Sequence, residues 1–454
     1  MKLTTAFTLD LGSPIGQLRA VPVSLGPGGP HAVLAAYCAD FDVDPYVEMF
    51  FFPSDTLKLV LCDLQGTIIW QRDLGPGVVP GMWFCPVMPF DLDSDGVDEI
   101  YYVGNSDPKH PLGVSNYVLE RLDANTGATT GRWPWPAHNT RQQLSATFRN
   151  FLAAGYVHGE PVLVTAQGTY GDMYLQGWQP GMDLRWEHVI KASDPGARGS
   201  HMCPVVDLNG DNVDELMWGE RCIELDTGTE LFCADRDSYR GHSDTIQPLW
   251  DRRTERWYIY TTREGDPQAA PRVALYDDQG VRIWGAVDEG HMDMGWVARL
   301  HDNGSHVAMA IRIGHKTCGP DGRFHTGMSE FAFDALTGEP CEPGFSLYRT
   351  VPVDVNGDGL HELVRGTPSA GGEVIDRHGT TLGSLGAPVA LACKFLDFPG
   401  EHLLAYYADG KIRAWRDEEA EDCDAALARY AHPFYRANLR LLSTGSNNGV
   451  HAGV

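Results

Sequence analysis

No apolar run in this chain of 454 residues approaches membrane-spanning length, which takes roughly 20 residues in succession. The start, Met1 to Asp10, has no long apolar core and does not read as a signal peptide. The chain is therefore expected to be soluble: cytoplasmic as it stands, secreted if a leader has been removed. Basic residues are also scarce, with 35 Lys and Arg against 61 Asp and Glu and a net charge of −26. That balance argues against nucleic acid or an anionic membrane surface as a partner. An acidic substrate would need a local basic pocket on an acidic body. None of the ten Cys falls in a CxxC pair, so neither a zinc ribbon nor a dense disulfide framework is implied. No GxSxG elbow, HExxH helix or phosphate-binding loop is present.

What the chain has in quantity is turns. Its 51 Gly and 29 Pro separate many short apolar runs, the pattern of an all-β protein. One stretch occurs three times, with oxygen-bearing residues at positions 1, 3, 5 and 9. The first copy carries Asp91, Asp93, Asp95 and Glu99, the second Asp207, Asn209, Asp211 and Glu215, and the third Asp354, Asn356, Asp358 and Glu362. Hard oxygen donors at this spacing suit Ca²⁺, with backbone carbonyls of Val97, Val213 and Leu360 at position 7 as further donors. Gly96, Asn212 and Gly359 at position 6 permit the sharp turn. Apolar runs flank each copy, so each is expected to be a strand–loop–strand hairpin holding one structural Ca²⁺, up to three in all.

A second repeat interleaves with the first: an apolar run, an Asp, a Gly turn and often a Trp. Asp63 with Gly66 and Trp70, and Asp277 with Gly280 and Trp284, are clear copies. The spacing of roughly 40 to 60 residues, about four strands per unit, predicts a single β-propeller of four-stranded antiparallel blades. Inner strands are expected near Arg19, Trp83, Leu144, His201, Thr245, Gly295, Thr350 and Val389, a count of eight blades with seven as the alternative. The last blade lacks one outer strand, and Ala6 to Asp10 can supply it. The propeller is assigned to residues 1–416, with a C-terminal extension, 417–454, packed on it. Glu418 to Ala428 reads as a short helix, and the residues from Ser443 onward read as flexible.

Propeller geometry sorts the loops. The Asp-rich loops join strands 1 and 2 and lie on one face; the loops entering strand 1 and joining strands 2 and 3 lie on the other. That second face collects His110, His138, Tyr170, His201, Tyr239, Arg240, His242, His291, Arg312 and His315. Imidazole and phenol move protons, and guanidinium groups hold carboxylates.

The Asp-rich loops, the Gly-turn blades, this His/Tyr/Arg face and the tail His432-Pro-Phe-Tyr435-Arg436 together resemble the β-propeller polysaccharide lyases. These include rhamnogalacturonan lyases, ulvan lyases and lyases of rhamnosyl–glucuronate linkages. The resemblance implies β-elimination on a uronate-containing, rhamnose–uronate type polysaccharide. It implies His138, Tyr170 and His110 in proton transfer. It places Arg240 against the uronate carboxylate, and the shared loop face adds His242 there, with His201, His291, Arg312, His315 and Tyr239 lining the pocket. The partner is then an acidic polysaccharide or oligosaccharide, met by a monomer. Two other readings stand beside it. One is a non-catalytic, integrin-like propeller that binds glycan or protein. The other is a propeller enzyme in which His201, His242 and His291 hold a transition metal near the axis.

Overall fold

Alternating apolar runs and Gly turns place strand after strand in antiparallel order, and the ring closes on itself. The computed structural model describes residues 1–135, 143–264, 270–366 and 371–454. Eight antiparallel sheets follow one another around an axis. Blade one spans 17–73, blade two 87–134, blade three 150–190 and blade four 205–233. Blade five spans 243–286, blade six 291–334, blade seven 350–384 and blade eight 389–417. The seven-bladed alternative is set aside. Blade six is the irregular member. It has three strands in its sheet, a bridge between Phe333 and Pro340 in place of the fourth, and an inserted hairpin, His315–Gly319 with Gly322–Thr326.

Blade eight borrows its outer strand from the other end of the chain. Leu3–Asp10 pairs antiparallel with Lys411–Asp417, from Leu3 opposite Asp417 to Asp10 opposite Lys411. Closure leaves no unpaired edge between the first blade and the last.

The Asp–Gly turns clasp one blade to the next. Gly127 of blade two has φ 68° and lies flat against Trp70 of blade one, where a Cβ would come within 2.7 Å of the indole. The indole Nε1 of Trp70 donates to Ala124 O at 2.7 Å. The same pairing recurs as Trp186 on Gly228 and Trp284 on Gly338, and with phenyl rings as Phe232 on Gly280, Phe345 on Gly379 and Phe7 on Gly66. A β-carbon would push each ring off its neighbour, and left-handed φ favours Gly there as well. The Asp–Gly–aromatic repeat is thus a blade-to-blade contact, with the glycine's missing side chain as the socket.

The C-terminal stretch differs from expectation. The helices are Asp424–Ala431 and Pro433–Leu439. The residues after Ser443 are packed rather than loose: from Leu441 to Val454 only Ser446 and Asn448 are exposed. This tail enters the central channel and bonds to several inner strands. Arg19 Nη1 donates to Ser443 O at 3.0 Å, Cys203 N to Asn447 Oδ1 at 3.3 Å, and Gln247 Nε2 to Gly449 O at 3.0 Å. Buried polar groups on the innermost strands need partners, and the tail's backbone and the Asn447 side chain provide them. All ten Cys are free thiols. Among the described residues no helix is long and apolar enough to cross a membrane.

Candidate functional site

The loops opposite the Asp-rich hairpins converge on the channel mouth. Tyr170 follows the second strand of blade three, and His201 precedes the inner strand of blade four. His242 and Asp244 open blade five, and Glu264 follows that blade's second strand. His291 and Asp293 open blade six, and Lys316 stands on its inserted hairpin. Arg149 precedes blade three, while Asp44 comes from the long loop of blade one. The hairpin arches across the mouth: Phe41 N donates to Pro320 O at 3.1 Å, and Arg323 pairs with Asp44 at 3.1 Å. Beneath it lies a cavity of about 390 Å³ lined by Asp44, Arg149, Tyr170, His201, Asp244, Glu264, His291, Asp293, Lys316 and Arg323 together with Trp83, Met82 and Ser446, with His242 just behind its wall against Glu264. An adjoining cavity of about 340 Å³ shares Met82, Asp244, Asp293, Arg323 and Ser446 and runs toward the tail.

Within the cavity, Tyr170 Oη lies 3.0 Å from His201 Nε2. The other face of His201 looks at Asp244, Nδ1 to Oδ1 3.1 Å. His242 Nε2 lies 3.6 Å from the same Asp244 oxygen and pairs with Glu264. Glu264 also pairs with His291, whose Nε2 lies 3.2 Å from Asp293 Oδ1. Lys316 Nζ completes the set, 2.8 Å from Asp293 and 3.2 Å from Glu264. The Arg149 guanidinium lies between the rings of Trp83, at 4.9 Å, and Tyr170, at 5.1 Å, and bonds Asp44 at 3.1 Å. Tyr170 has φ 82°, a conformation that costs a non-glycine residue of order 1 kcal/mol and clusters at working sites.

The electrostatics split the groups. Burial, with Arg149 nearby, pushes His201 down to about 3, so its imidazole is neutral. Burial, aided by Glu264 and Asp293, pushes Asp244 up to about 8. Burial works against charge on Glu264, yet His242 and His291 hold its carboxyl well below the usual range. Burial likewise opposes charge on His291, but Asp293 and Glu264 outweigh it and raise it to about 9. Burial, despite Arg149, lifts the Tyr170 phenol well above its ordinary value. The cavity therefore offers a neutral imidazole beside a phenol, and charged cations a few ångströms away.

Of the residues singled out from sequence, Tyr170, His201, His242 and His291 are brought together here. Tyr239 lies beneath, fully buried, its Oη donating to His242 O and its ring under the Arg263 guanidinium at 4.0 Å. Four others stand elsewhere. His110 is 71% exposed and bonds Asp107 at 2.7 Å. Arg240 is exposed and bonds Ser193 O at 3.0 Å. Arg312 bonds Ser329 Oγ at 3.2 Å, and His315 is exposed at the base of the hairpin. His138 lies outside the described residues. Three carboxylates that the sequence reading did not assign to the site, Asp244, Glu264 and Asp293, face this cavity. A signal existed for two of them. His242-Ser-Asp244 and His291-Met-Asp293 repeat a His-x-Asp step at the start of neighbouring inner strands, and alternate strand residues share a face.

The three Asp-rich loops share one geometry. The carboxylate at position 5 accepts the N–H of position 7 at 2.8 Å in each: Asp95 from Val97, Asp211 from Val213, Asp358 from Leu360. Their fit to a cation differs. In the first loop Asp91, Asp93 and Asp95 each offer an oxygen within 4.8 Å of the others. In the second, Glu215 Oε1 is buried without a hydrogen-bond partner. In the third, Asp354 pairs with the buried guanidinium of Arg429. Asn356 there donates its amide N–H to the buried Glu362 Oε1 at 2.7 Å.

No known family model matches the chain. In sequence it is similar to the rhamnogalacturonan exolyase YesX of Bacillus subtilis (strain 168), 26% identical over 217 residues, and to the rhamnogalacturonan endolyase YesW of that organism, 24% identical over 217. Each match takes in 40% of this chain and 34% of the relative, so it spans about a third of the relative's length. In fold it is similar to the solved exotype rhamnogalacturonan lyase YesX, with a TM-score of 0.78 at 18% identity over 98% of this chain and 80% of that one. It is likewise similar to a Bacillus licheniformis rhamnogalacturonan lyase, with a TM-score of 0.77 at 17% identity over 98% and 81%. In sequence over part of its length, and in fold over nearly all of it, this chain is similar to rhamnogalacturonan lyases.

Proposed function

We propose that the protein is a polysaccharide lyase that cleaves a uronate-containing, rhamnose–uronate type polysaccharide by β-elimination. The observation that carries the reading is the Tyr170–His201 pair, 3.0 Å apart, in a cavity whose wall also presents Lys316 and His291. A β-elimination needs a base for the C5 proton, an acid for the departing O4, and positive charge or donors on the uronate carboxylate. Tyr170 takes the proton role, with His201 Nε2 as its hydrogen-bond partner. Lys316 and His291 face the carboxylate. Elimination uses no hydrolytic water, so no pair of catalytic carboxylates at glycosidase spacing is required. Support comes also from the relatives, which are named rhamnogalacturonan lyases. The test is a panel of uronate polysaccharides, rhamnogalacturonan among them, followed by ultraviolet absorbance of the unsaturated product. Absorbance should rise with at least one polymer and not with neutral glucans. A flat trace across the panel sinks the reading.

The same proposal includes structural Ca²⁺ on the face away from this cavity. The open carboxylate cluster of the first loop and the unpartnered Glu215 oxygen of the second fit a hard cation. Residues Asp91, Asp93, Asp95 and Glu99 would hold one ion, and Asp207, Asn209, Asp211 and Glu215 another. Their role would be to fix two hairpins.

A further inference from the structure

We infer that the protein carries a second, non-catalytic binding site for acidic oligosaccharide, on the face that bears the Asp-rich loops. A cavity of about 600 Å³ opens there between blades eight, one and two and the two C-terminal helices. Ser24, Asp98 and Lys394 in its wall come from the loops joining strands 1 and 2 of blades one, two and eight. The channel-mouth residues come from the other class of loop, before strand 1 or after strand 2, so the two cavities lie at opposite ends of the ring. The buried tail that begins at Leu441 stands between them.

The charge of this lining is opposite to that of the chain. Lys394, Arg436 and Arg440 face a single carboxylate, Asp98, on a chain with 35 Lys and Arg against 61 Asp and Glu. Asp98 is engaged, its Oδ2 accepting from Ser24 N at 2.7 Å, and Lys394 is held by Asp422 at 3.0 Å. The two arginines are freer. Among the described residues neither forms an ion pair. Arg436 bonds through Nε alone, to Tyr430 O at 3.1 Å, and Arg440 lies over the Phe90 ring at 4.7 Å and meets Tyr156 Oη at 3.5 Å. They stand four residues apart at the end of the helix Pro433–Leu439, so their side chains rise on one side of it. Like charges at that spacing repel, and a carboxylate between them removes the repulsion while accepting from both guanidinium groups.

The rest of the lining fits a sugar rather than a bare ion. Pro22, Pro89 and Leu439 offer apolar surface to the C–H faces of a pyranose, and Tyr430 adds a ring whose hydroxyl is buried without a hydrogen-bond partner. The volume falls among small-molecule sites, roughly 300–1,000 Å³, well beyond what one phosphate fills. That the bound sugar is a stretch of the polymer cleaved at the other end rests on the lyase reading; the binding itself does not. A polymer long enough to reach both sites gains effective concentration at the second once the first is filled, and a short fragment does not.

The test is calorimetric titration of the full chain with oligogalacturonate, an acidic chain that lacks the rhamnose–uronate linkage and so is not cut under the proposed activity. One component of binding should survive Lys316→Met, at the channel mouth, and weaken about tenfold or more in Arg436→Gln and in Arg440→Gln. It should also weaken as salt rises, and a neutral maltooligosaccharide should not bind. Melting curves show which variants are folded. Arg436 is exposed, so Arg436→Gln and the charge reversal Arg436→Glu carry the test if Arg440→Gln, which loses its packing on Phe90, does not fold. Unchanged binding in folded Arg436→Gln and Arg436→Glu overturns the inference. So does binding of inorganic phosphate that depends on these arginines when the oligosaccharide does not bind. In turnover, Arg436→Gln should raise KM for long polymer and leave short fragments as in wild type. Arginine-dependent binding without activity on any uronate polymer leaves the site standing and removes the lyase reading. Lyase activity without such binding does the reverse.

Discussion

Arg429 and Asp354 form an ion pair with no exposure on either side chain. The arginine comes from the helix Asp424–Ala431, and the aspartate is position 1 of the third Asp-rich loop. A helix of the C-terminal stretch thus inserts a permanent cation where the other two loops have none. Asn356, which would face an ion, instead donates to Glu362.

The first prediction follows from that pair. Calcium should bind at two loops rather than three. Chelation should lower the melting temperature, because a ligand held only by the folded state stabilises by about 2.7 kcal/mol at a hundredfold excess over Kd. Asp93→Ala and Asn209→Ala should each remove one ion, and Asn356→Ala should remove none. Arg429→Met should cost about 3–5 kcal/mol, the usual result of stripping one partner from a buried pair. Calcium counting by elemental analysis and urea melts check both. Three ions per chain, or none, would refute this account of the loops.

How much of this was legible beforehand can be read from particular residues. The Asp–Gly–Trp repeat predicted the blades because its spacing is local and its glycines are required by close ring contacts, such as Trp70 on Gly127. The blade count and the borrowed N-terminal strand followed. The face of the site was legible too, since loop class fixes the face. The members of the site were less so. Arg240 and Tyr239 are adjacent in sequence, yet one is exposed and the other buried under Arg263. Glu264 has no neighbouring signal at all; the pairing of the first two strands of blade five sets it beside His242, and the packing of blade six on blade five brings it to His291. The tail's polar, Gly-rich composition read as flexible because composition does not reveal a channel waiting to be filled.

The borrowed strand gives the second prediction. Phe7 and Leu9 are 6% and 7% exposed, and Phe7 also fills the Gly66 socket of blade one. Losing each burial costs about 2 kcal/mol, and the deletion also uncovers the edge Lys411–Asp417. A chain lacking residues 1–12 should unfold at clearly lower urea concentration and aggregate more readily. Wild-type unfolding of the truncated chain would count against ring closure by this strand.

The third prediction concerns acid. His402 in blade eight is wholly buried, and its Nδ1 accepts from Leu396 N at 3.2 Å. Burial, with Lys394 and Arg416 nearby, pushes it down to about 3. Burial, with Arg429 nearby, does the same to His451. Each folded value lies below the unfolded one of about 6.5, so the unfolded chain binds the extra proton. Their contribution is therefore present above pH 6.5 and is lost as pH falls toward 3, at up to about 1.4 kcal/mol per unit for each. His402→Asn keeps an acceptor but cannot titrate. Its stability should fall with acid less steeply than wild type, by as much as one proton's slope. Parallel curves would show that His402 does not titrate on unfolding.

The last prediction concerns turnover. Tyr170→Phe keeps the ring over Arg149 and the packing against His242, whose centroids lie 4.4 Å apart, but removes the hydroxyl that meets His201 Nε2. If Tyr170 carries the proton, kcat should fall about 10²-fold or more with KM little changed. Lys316→Met should act differently. The ammonium faces the cavity, and charge on the uronate carboxylate builds toward the transition state, so KM should rise and kcat should fall together. His110→Ala and Arg240→Ala serve as controls from the same face. Both side chains are exposed and bond to local loop partners rather than to the cavity, so both variants should turn over like wild type. Tyr170→Phe, His110→Ala and Arg240→Ala should melt close to wild type, because none of these side chains fills a blade core; Lys316→Met leaves the buried Asp293 and Glu264 without their ammonium and should melt lower, so its kinetics are read at a temperature where it is folded. Full activity in Tyr170→Phe would remove the phenol from the mechanism. Loss of activity in His110→Ala or Arg240→Ala would move the site outward along the loops, away from the channel mouth.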